Sequence, residues 1–214
     1  MQNQSFTIGG GLREGWELTK VNIGFLVVYQ IILFFLIWLF NDWREEWTFS
    51  AVVIQFIGWM IIMLGKMGFY QSALLLTKGL KPRFNQFYAN WRLLFSWIVA
   101  GFLFGMMFAI GLILLIVPGF LVWATFGLYP FFILDKSLGP IEALKKSAKA
   151  TRGARGHLFL FFLACVGINL LGLLFFGVGL LITVPMTLIA LAVIYRKMTG
   201  QSSTSIQPDD ILIP

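Results

Sequence analysis

The most constraining feature of this chain is a pair of long uncharged stretches joined by a proline and a glycine. Leu93–Val117 forms 25 consecutive positions without a charge, and Phe120–Leu134 is also uncharged. A helix needs ~20 apolar residues to cross ~30 Å of hydrocarbon. The two stretches therefore predict two membrane spans. We expect the turn between them at Pro118 and Gly119, because proline lacks an N–H and glycine tolerates a positive φ.

Composition extends this prediction to the whole chain. Hydrophobic residues make up 59% of the sequence and charged residues 12%, whereas soluble domains carry about 25% charged residues. The net charge of +7 does not indicate nucleic-acid binding, because the positive charge lies in short segments between apolar runs. We therefore predict an all-α polytopic membrane bundle of six transmembrane helices with short interfacial amphipathic helices. The predicted spans are residues 21–40, 49–77, 93–117, 119–134, 157–176 and 178–195.

Three segments outside these spans have patterns of their own. Residues 1–20 form an N-terminal segment in which Gly10–Lys20 predicts either an interfacial helix anchored by Trp16 or an extension of span one. Residues 78–92 are basic, and aromatic side chains there predict a second interfacial helix. Residues 197–214 are polar and predict a disordered tail. The aromatic residues that carry this helical pattern are Phe84, Phe87 and Trp91, at i, i+3 and i+7.

The distribution of basic residues predicts how the chain crosses the membrane. Of 16 Lys and Arg residues, only Arg44 lies in a predicted outer loop and only Lys66 within a span. The other 14 fall on one side together with both termini, as the positive-inside rule requires of a cytoplasmic side. The tryptophan-flanked, acidic loop at 41–48 fits the outer interface. We predict kinks at Pro130 in span four and at Pro185 in span six.

Lys66 is the candidate functional residue within the membrane. An ionisable group inside a span costs ~2.5–3.5 kcal/mol on the insertion scale and is a functional-site hypothesis by default. The polar companions in neighbouring spans that the sequence offers for an anion or headgroup site are Gln30, Gln55, Gln71, Asn169 and Thr183. In the alternative interpretation, Lys66 lies near the cytoplasmic interface and extends its ammonium group to lipid phosphate.

Small residues recur every four positions in span three, at Gly101, Gly105 and Ala109. Such a stripe lets helix backbones approach closely, because lipid supplies no hydrophobic drive between helices. The pattern predicts packing within the bundle, and the alternative is a homodimer face. Gly177 and Gly179 predict a second uncharged turn, between spans five and six.

The longest polar segment predicts a basic amphipathic helix on the cytoplasmic leaflet. Pro140 is suited to the first helical position, and we expect Ile141, Leu144 and Ala148 on the apolar face. This helix either binds anionic lipid or a cytoplasmic partner, or serves only to fix the topology. Its basic residues are Lys145, Lys146, Lys149 and Arg152.

The sequence offers little catalytic chemistry. No Asp or Glu lies within a predicted span, and His157 is the single histidine. We therefore expect no enzyme activity, no metal site and no cofactor. Asp135 and Glu142 are the only acids near the interface that an enzyme hypothesis has available. Cys165 is the single cysteine, so no intramolecular disulfide is expected.

An ordered set of short motifs carries a family resemblance, best over residues 65–196. The chain resembles bacterial six-span membrane proteins of unknown function that are similar to the membrane domain of glycerophosphodiester phosphodiesterases. This resemblance implies a six-helix bundle in a bacterial inner membrane and implies no catalytic residue here. The motifs are Val117-Pro118-Gly119, Tyr129–Asp135, Glu142–Ser147 with Thr151-Arg152-Gly153, Gly177–Leu181 with Thr183 and Pro185, and Tyr195.

From these features we expect a non-enzymatic membrane protein that acts as a scaffold, assembly factor or lipid-organising module. Its expected partners are anionic headgroups of the cytoplasmic leaflet, a membrane-protein partner or a second copy of the chain. The alternative is a small transporter or channel that uses Lys66. A polar cavity reaching mid-membrane and open to one side would favour this alternative.

Overall fold

A computed structural model describes residues 7–40, 48–114, 116–174 and 177–201. Within these ranges all regular structure is helical, and six helical segments are long and apolar enough to cross a membrane. The predicted all-α polytopic fold is confirmed. The acidic loop at 41–47 and the tail from residue 202 lie outside the described residues. The helices are α1 Ile8–Val21, α2 Ile23–Phe40, α3 Phe49–Thr77, α4 Gln86–Ala89, α5 Leu94–Leu114, α6 Ile116–Phe126, α7 Tyr129–Lys136, α8 Pro140–Ala150, α9 Arg155–Leu174 and α10 Leu180–Met198.

The core of the bundle is α10. It packs against α1, α2, α3 and α9, and its stretch from Leu188 to Arg196 is buried except for Leu191. The helix continues to Met198, beyond the predicted end at residue 195. Two contacts explain the extra turn: Arg196 donates a hydrogen bond to the carbonyl of Thr77, and Lys197 pairs with Glu14.

The N-terminal segment forms a helix of its own, because α1 ends at Val21 and α2 begins at Ile23. It packs on α10 through glycine, since a Cβ on Gly15 would lie 2.8 Å from the Cα of Ala190. The Trp16 side chain is exposed, and its role as an interfacial anchor stays a prediction.

The first predicted turn is wrong in its position. Because α5 ends at Leu114 and α6 begins at Ile116, Pro118 and Gly119 lie inside the first turn of α6. Proline is tolerated there because the first helical N–H groups have no partner within the helix. Gly119 lets the two helices approach, since a Cβ on Gly111 would lie 2.8 Å from its Cα. Gly177, with φ 76°, and Gly179 do lie between α9 and α10.

The small-residue stripe of α5 is not used for packing within the bundle. Gly105 and Ala109 are exposed, and a Cβ on Gly105 would meet nothing within 4 Å. Gly101 has only the hydroxyl of Tyr129 nearby, at 3.3 Å from such a Cβ. The prediction of packing within the bundle is therefore wrong for Gly105 and Ala109. Close approach occurs instead at glycines paired with glycine or alanine in a facing helix.

The predicted interruption of span four is present. The span divides into α6, which ends at Phe126, and α7, which begins at Tyr129. Pro130 has no N–H to donate to the carbonyl of Phe126, so the helical ladder stops there. In α10, by contrast, Pro185 lies inside an otherwise continuous helix.

The predicted interfacial helix around Phe84 is reduced to α4 and one 3-10 turn at Trp91–Leu93. The rings of Phe84 and Phe25 lie 4.9 Å apart. A Cβ on Gly68 would lie 2.8 Å from the Cα of Phe87. Both phenylalanines therefore pack on α2 and α3, whereas Trp91 is exposed.

Candidate functional site

The candidate site is a cleft of about 430 Å³ between two pairs of helices. One wall comes from α2 and α3, the other from α6 and α9, and α10 forms the floor. The cleft is mainly apolar and aromatic. The residues that line it are Gln30, Leu33, Ile37, Lys66, Phe69, Tyr70, Trp123, Phe161, Phe162, Cys165, Val166, Asn169, Val184, Thr187, Leu188 and Leu191.

Three of the six residues that the sequence offered for an intramembrane site line this one cleft: Lys66, Gln30 and Asn169. Each lies more than one turn from either end of a helix able to span the membrane. Gln55 does not take part, and its side chain is exposed nearer the start of α3. The cleft lining also excludes Gln71 and Thr183, the two other polar residues that the sequence offered.

Among the residues that the structure describes, Lys66 is the one charged residue that lines the cleft. It is exposed at the cleft rim, and no described residue forms an ion pair or hydrogen bond with it. The neighbouring Gly65 packs on Leu33 near the middle of α2, because a Cβ on Gly65 would lie 2.5 Å from that side chain. This contact places Lys66 beside the middle of α2 and not at the end of either helix.

The amide of Asn169 has a fixed orientation. Its Nδ2 donates to the carbonyl of Cys165 at 2.8 Å and to the hydroxyl of Thr187 at 3.2 Å. The Thr187 hydroxyl donates its one proton to the carbonyl of Val184 at 3.0 Å and so accepts from Asn169. The Oδ1 of Asn169 is left as a buried acceptor with no donor among the described residues.

Gln30 presents a second buried acceptor beside the cleft. Its side chain lies on α2, it is only 7% exposed, and its Oε1 has no hydrogen-bond partner in the described part of the chain. A buried polar atom without a partner costs ~1–3 kcal/mol. Two such oxygens at one cleft are therefore groups that a ligand with hydrogen-bond donors would satisfy.

The cleft is open at Ile37, which lines it from α2 and is 40% exposed. The opposite wall is aromatic, with the rings of Trp123 and Phe162 stacked at 4.5 Å. The cleft therefore offers one cation, two amide oxygens and a broad apolar surface.

Sequence reasoning missed Trp123, Cys165 and Thr187 as cleft residues. Trp123 and Cys165 resemble any other apolar residue of a span. Thr187 lies seven positions after Leu180, where α10 begins, and nothing in the sequence distinguishes it from the other hydroxyl residues of that helix. A signal for Thr187 existed only in its pairing with Asn169, which depends on how two helices pack.

The basic helix α8 exposes its charged residues as predicted. Lys145, Lys146, Lys149 and Arg152 are all exposed. The buried face differs from the expected one, because it consists of Ala143, Leu144 and Ser147. Ile141 is 58% exposed, so its assignment to the buried face is wrong. Ala148 is only half-buried.

Small polar side chains determine which face of α8 is buried. Ser147 donates a hydrogen bond to the carbonyl of Thr125 at 3.0 Å, and the Thr151 hydroxyl can donate its one proton either to the same carbonyl at 3.1 Å or to that of Ser147 at 3.0 Å. This carbonyl lies in the last turn of α6, where the break of span four leaves it without a helical donor. Two hydroxyls are therefore available to join α8 to the break.

The acidic candidate Asp135 takes part in a tether between helices. Its carboxylate accepts hydrogen bonds from Lys78 at 2.7 Å, from the Tyr195 hydroxyl at 2.9 Å and from Gln201 Nε2 at 3.1 Å. The other candidate, Glu142, is exposed on α8. Among the described residues, no group of three or more His, Cys, Asp or Glu side chains is arranged to hold a metal ion.

The fold and the cleft define a multi-pass helical membrane protein with a mainly apolar cleft, in which Lys66 is the one charged lining residue of the described part of the chain. Comparison of the chain with protein-family models, with curated proteins and with solved structures finds no match.

Proposed function

We propose that this protein is a non-enzymatic, lipid-organising membrane protein whose cleft holds an anionic amphiphile. The supporting observation is Lys66, an exposed cation of the cleft that lies well inside a helix able to span the membrane and has no ionic partner among the described residues. A charge away from water is costly unless it is paired. A lipid headgroup supplies the anion, and its acyl chains leave through the opening beside Ile37 into the bilayer. The cleft volume lies within the ~300–1,000 Å³ typical of ligand sites.

Purification of the full chain in native lipid, followed by mass spectrometry of the copurifying lipids and proteins, tests this proposal. We expect one anionic amphiphile to be enriched with the wild-type chain and with the control variant Lys81→Leu, which changes an exposed lysine outside the spans. Lys66→Leu should abolish the enrichment. Equal enrichment with folded Lys66→Leu would contradict the proposal.

The exposed basic surface of α8 supports a second part of the same function. In this role Lys145, Lys146 and Lys149 contact anionic headgroups of the cytoplasmic leaflet or a cytoplasmic partner, and the protein acts as a scaffold or assembly factor. Copurifying proteins in the same experiment identify such a partner. A further copy of the chain is the other candidate, because Gly105 and Ala109 leave an uncovered small-residue face on α5.

A small transporter is the second candidate function, and the position of Lys66 in the cleft favours it. The cleft is bounded by helices that are broken or contain proline: α6 stops at Phe126, and α10 contains Pro185. Such interruptions are common where helices of transporters line a binding site. Flux of anionic amphiphiles or small anions into proteoliposomes, abolished by Lys66→Leu, would favour transport over static binding.

The proposed location is the inner membrane of a bacterium, with both termini in the cytoplasm. The positive-inside rule supports the orientation, and the family resemblance supports the membrane. Single cysteines introduced at Val178, which is exposed between α9 and α10, and at Gln201 in a Cys165→Ala background would test the orientation. A membrane-impermeant thiol reagent applied from outside should label the first and spare the second.

We also propose kinship with the six-span proteins that resemble the phosphodiesterase membrane domain. The tether residues Asp135 and Tyr195 belong to the motifs that carry this resemblance. Their direct hydrogen bond at 2.9 Å supports a shared structural role for these motifs. In relatives, residues aligned with these two positions should therefore vary together.

A further inference from the structure

We propose that the cleft selects among anionic lipids for a headgroup that carries a hydroxyl or N–H donor next to its phosphate. This inference rests on the proposed lipid-binding function and concerns the part of the cleft that Lys66 does not serve. Lys66 has three N–H donors and no acceptor, so it recognises the phosphate of any anionic lipid. Selection among such lipids has to come from other groups.

The two amide oxygens beside the cleft supply that selection. The side-chain amide of Asn169 cannot flip to exchange Oδ1 and Nδ2. Nδ2 donates to the carbonyl of Cys165 at 2.8 Å, and a carbonyl can only accept. Gln30 Oε1 belongs to a side chain that is more than nine-tenths buried. Both oxygens are buried and have no donor among the described residues, Lys66 included. A site with unpaired buried acceptors discriminates against a ligand that has no hydrogen-bond donor to offer them.

Two anionic lipids with identical acyl chains isolate this effect. Phosphatidylglycerol has a phosphodiester followed by two hydroxyl groups, whereas phosphatidylmethanol has the same charge and no donor. The full chain is placed in phosphatidylcholine nanodiscs with equal small amounts of both lipids, and the retained lipids are counted by native mass spectrometry. Lys145, Lys146 and Lys149 are replaced by Gln in every sample, so that lipid on α8 does not contribute.

We expect phosphatidylglycerol to be retained about tenfold more than phosphatidylmethanol. This is the difference in affinity that one good hydrogen bond to a buried acceptor supplies. Gln30→Met should lower this ratio and leave the chain folded, with a thermal midpoint equal to or above that of the parent, because it removes an unsatisfied buried amide. Gln55→Met is the matched control. It makes the same substitution at an exposed glutamine that does not line the cleft, so the ratio should persist.

The outcomes separate the two proposals. Equal retention of both anionic lipids above phosphatidylcholine overturns the selectivity and leaves the proposed lipid binding standing. Retention of neither above phosphatidylcholine, in a folded chain, overturns the proposed lipid binding itself. Displacement of the lipid by soluble glycerol phosphate at millimolar concentration would overturn the assignment of the ligand to the bilayer. An undiminished ratio in Gln30→Met together with Asn169→Leu would remove the two amides from the recognition site.

Discussion

Ser147 Oγ donates a hydrogen bond of 3.0 Å to the carbonyl oxygen of Thr125. The bond links the basic helix α8 to the last turn of α6, where the fourth span is interrupted. The Thr151 hydroxyl lies 3.1 Å from the same oxygen and 3.0 Å from the carbonyl of Ser147, so its one proton makes it an alternative donor to the Thr125 carbonyl. The position of α8 therefore depends on hydroxyl groups on its buried face as well as on its charge.

Removal of both donors should destabilise the protein by more than the sum of the single changes. In Ser147→Ala or Thr151→Val one hydroxyl still serves the carbonyl, and we expect a loss of about 0.5–1.5 kcal/mol each. The double variant leaves a buried carbonyl without a donor and should lose ~1–3 kcal/mol beyond that sum. Thermal unfolding in lipid nanodiscs measures the effect. Lys149→Ala, on the exposed face of α8, is the control, and strictly additive losses would argue against the shared carbonyl.

Gly111 and Gly105 lie on the same helix and should respond oppositely to alanine. In Gly111→Ala the new Cβ would lie 2.8 Å from the Cα of Gly119, and backbone cannot yield cheaply, so we expect a loss of about 1–3 kcal/mol. Gly105→Ala meets nothing within 4 Å and should be neutral or gain up to about 1 kcal/mol from helix propensity. The same unfolding assay compares the two. A change of oligomeric state in Gly105→Ala would instead assign that face to a second copy of the chain.

Asp135→Asn should cost much more stability than Glu17→Gln, although each removes an ion pair. The Asp135 side chain is 6% exposed and the Lys78 side chain 36%, so losing the charge leaves a partly buried ammonium and disturbs two further donors. We expect a loss of about 1–3 kcal/mol, below the value for fully buried pairs because Lys78 reaches solvent. The Glu17–Lys20 pair is 58% and 45% exposed and should contribute less than about 0.5 kcal/mol. Equal effects would show that the Asp135 tether is not structural.

Neutralising the exposed lysines of α8 should weaken contact with anionic lipid while the chain keeps its orientation. Each lysine near an anionic surface contributes ~1 kcal/mol, so replacing Lys145, Lys146 and Lys149 by Gln should markedly reduce the enrichment of anionic lipid around the protein. Spin-labelled lipids report that enrichment, and thiol labelling reports the topology. If the orientation inverts while the enrichment persists, the lysines determine topology and do not bind lipid.

The sequence predicts the spans well because the cost of charge in hydrocarbon is a local property of the chain. The run of Phe49–Thr77 was predicted to the residue on this basis. Glycine in helices was harder to interpret. A pattern of small residues shows which face of a helix lacks bulky side chains, but it does not show whether another helix packs there. Gly105 was misassigned for this reason. Gly58 and Gly65, by contrast, do face α2.

The cleft was only partly predictable for a related reason. Lys66, Gln30 and Asn169 can be identified as site candidates from the sequence, because each is a polar residue within an apolar run. Gln55 has the same property and nevertheless lies outside the cleft. Which polar residues meet depends on helix rotation and on the depth at which helices cross. Both are decided by contacts between distant parts of the chain, such as the hydrogen bond from Tyr29 to the carbonyl of Gly65 at 3.0 Å.

The central place of α10 has a consequence for biosynthesis. Every helix that surrounds it, from α1 to α9, leaves the ribosome before it does. Gly15, which packs against Ala190 of α10, therefore lacks this contact until α10 has been synthesised. The earlier helices have contacts of their own, such as α5 with α6 and α2 with α3, but their faces toward α10 have no partner until that helix is made. A nascent chain stalled before α10 should accordingly be a preferred target of membrane quality-control proteases.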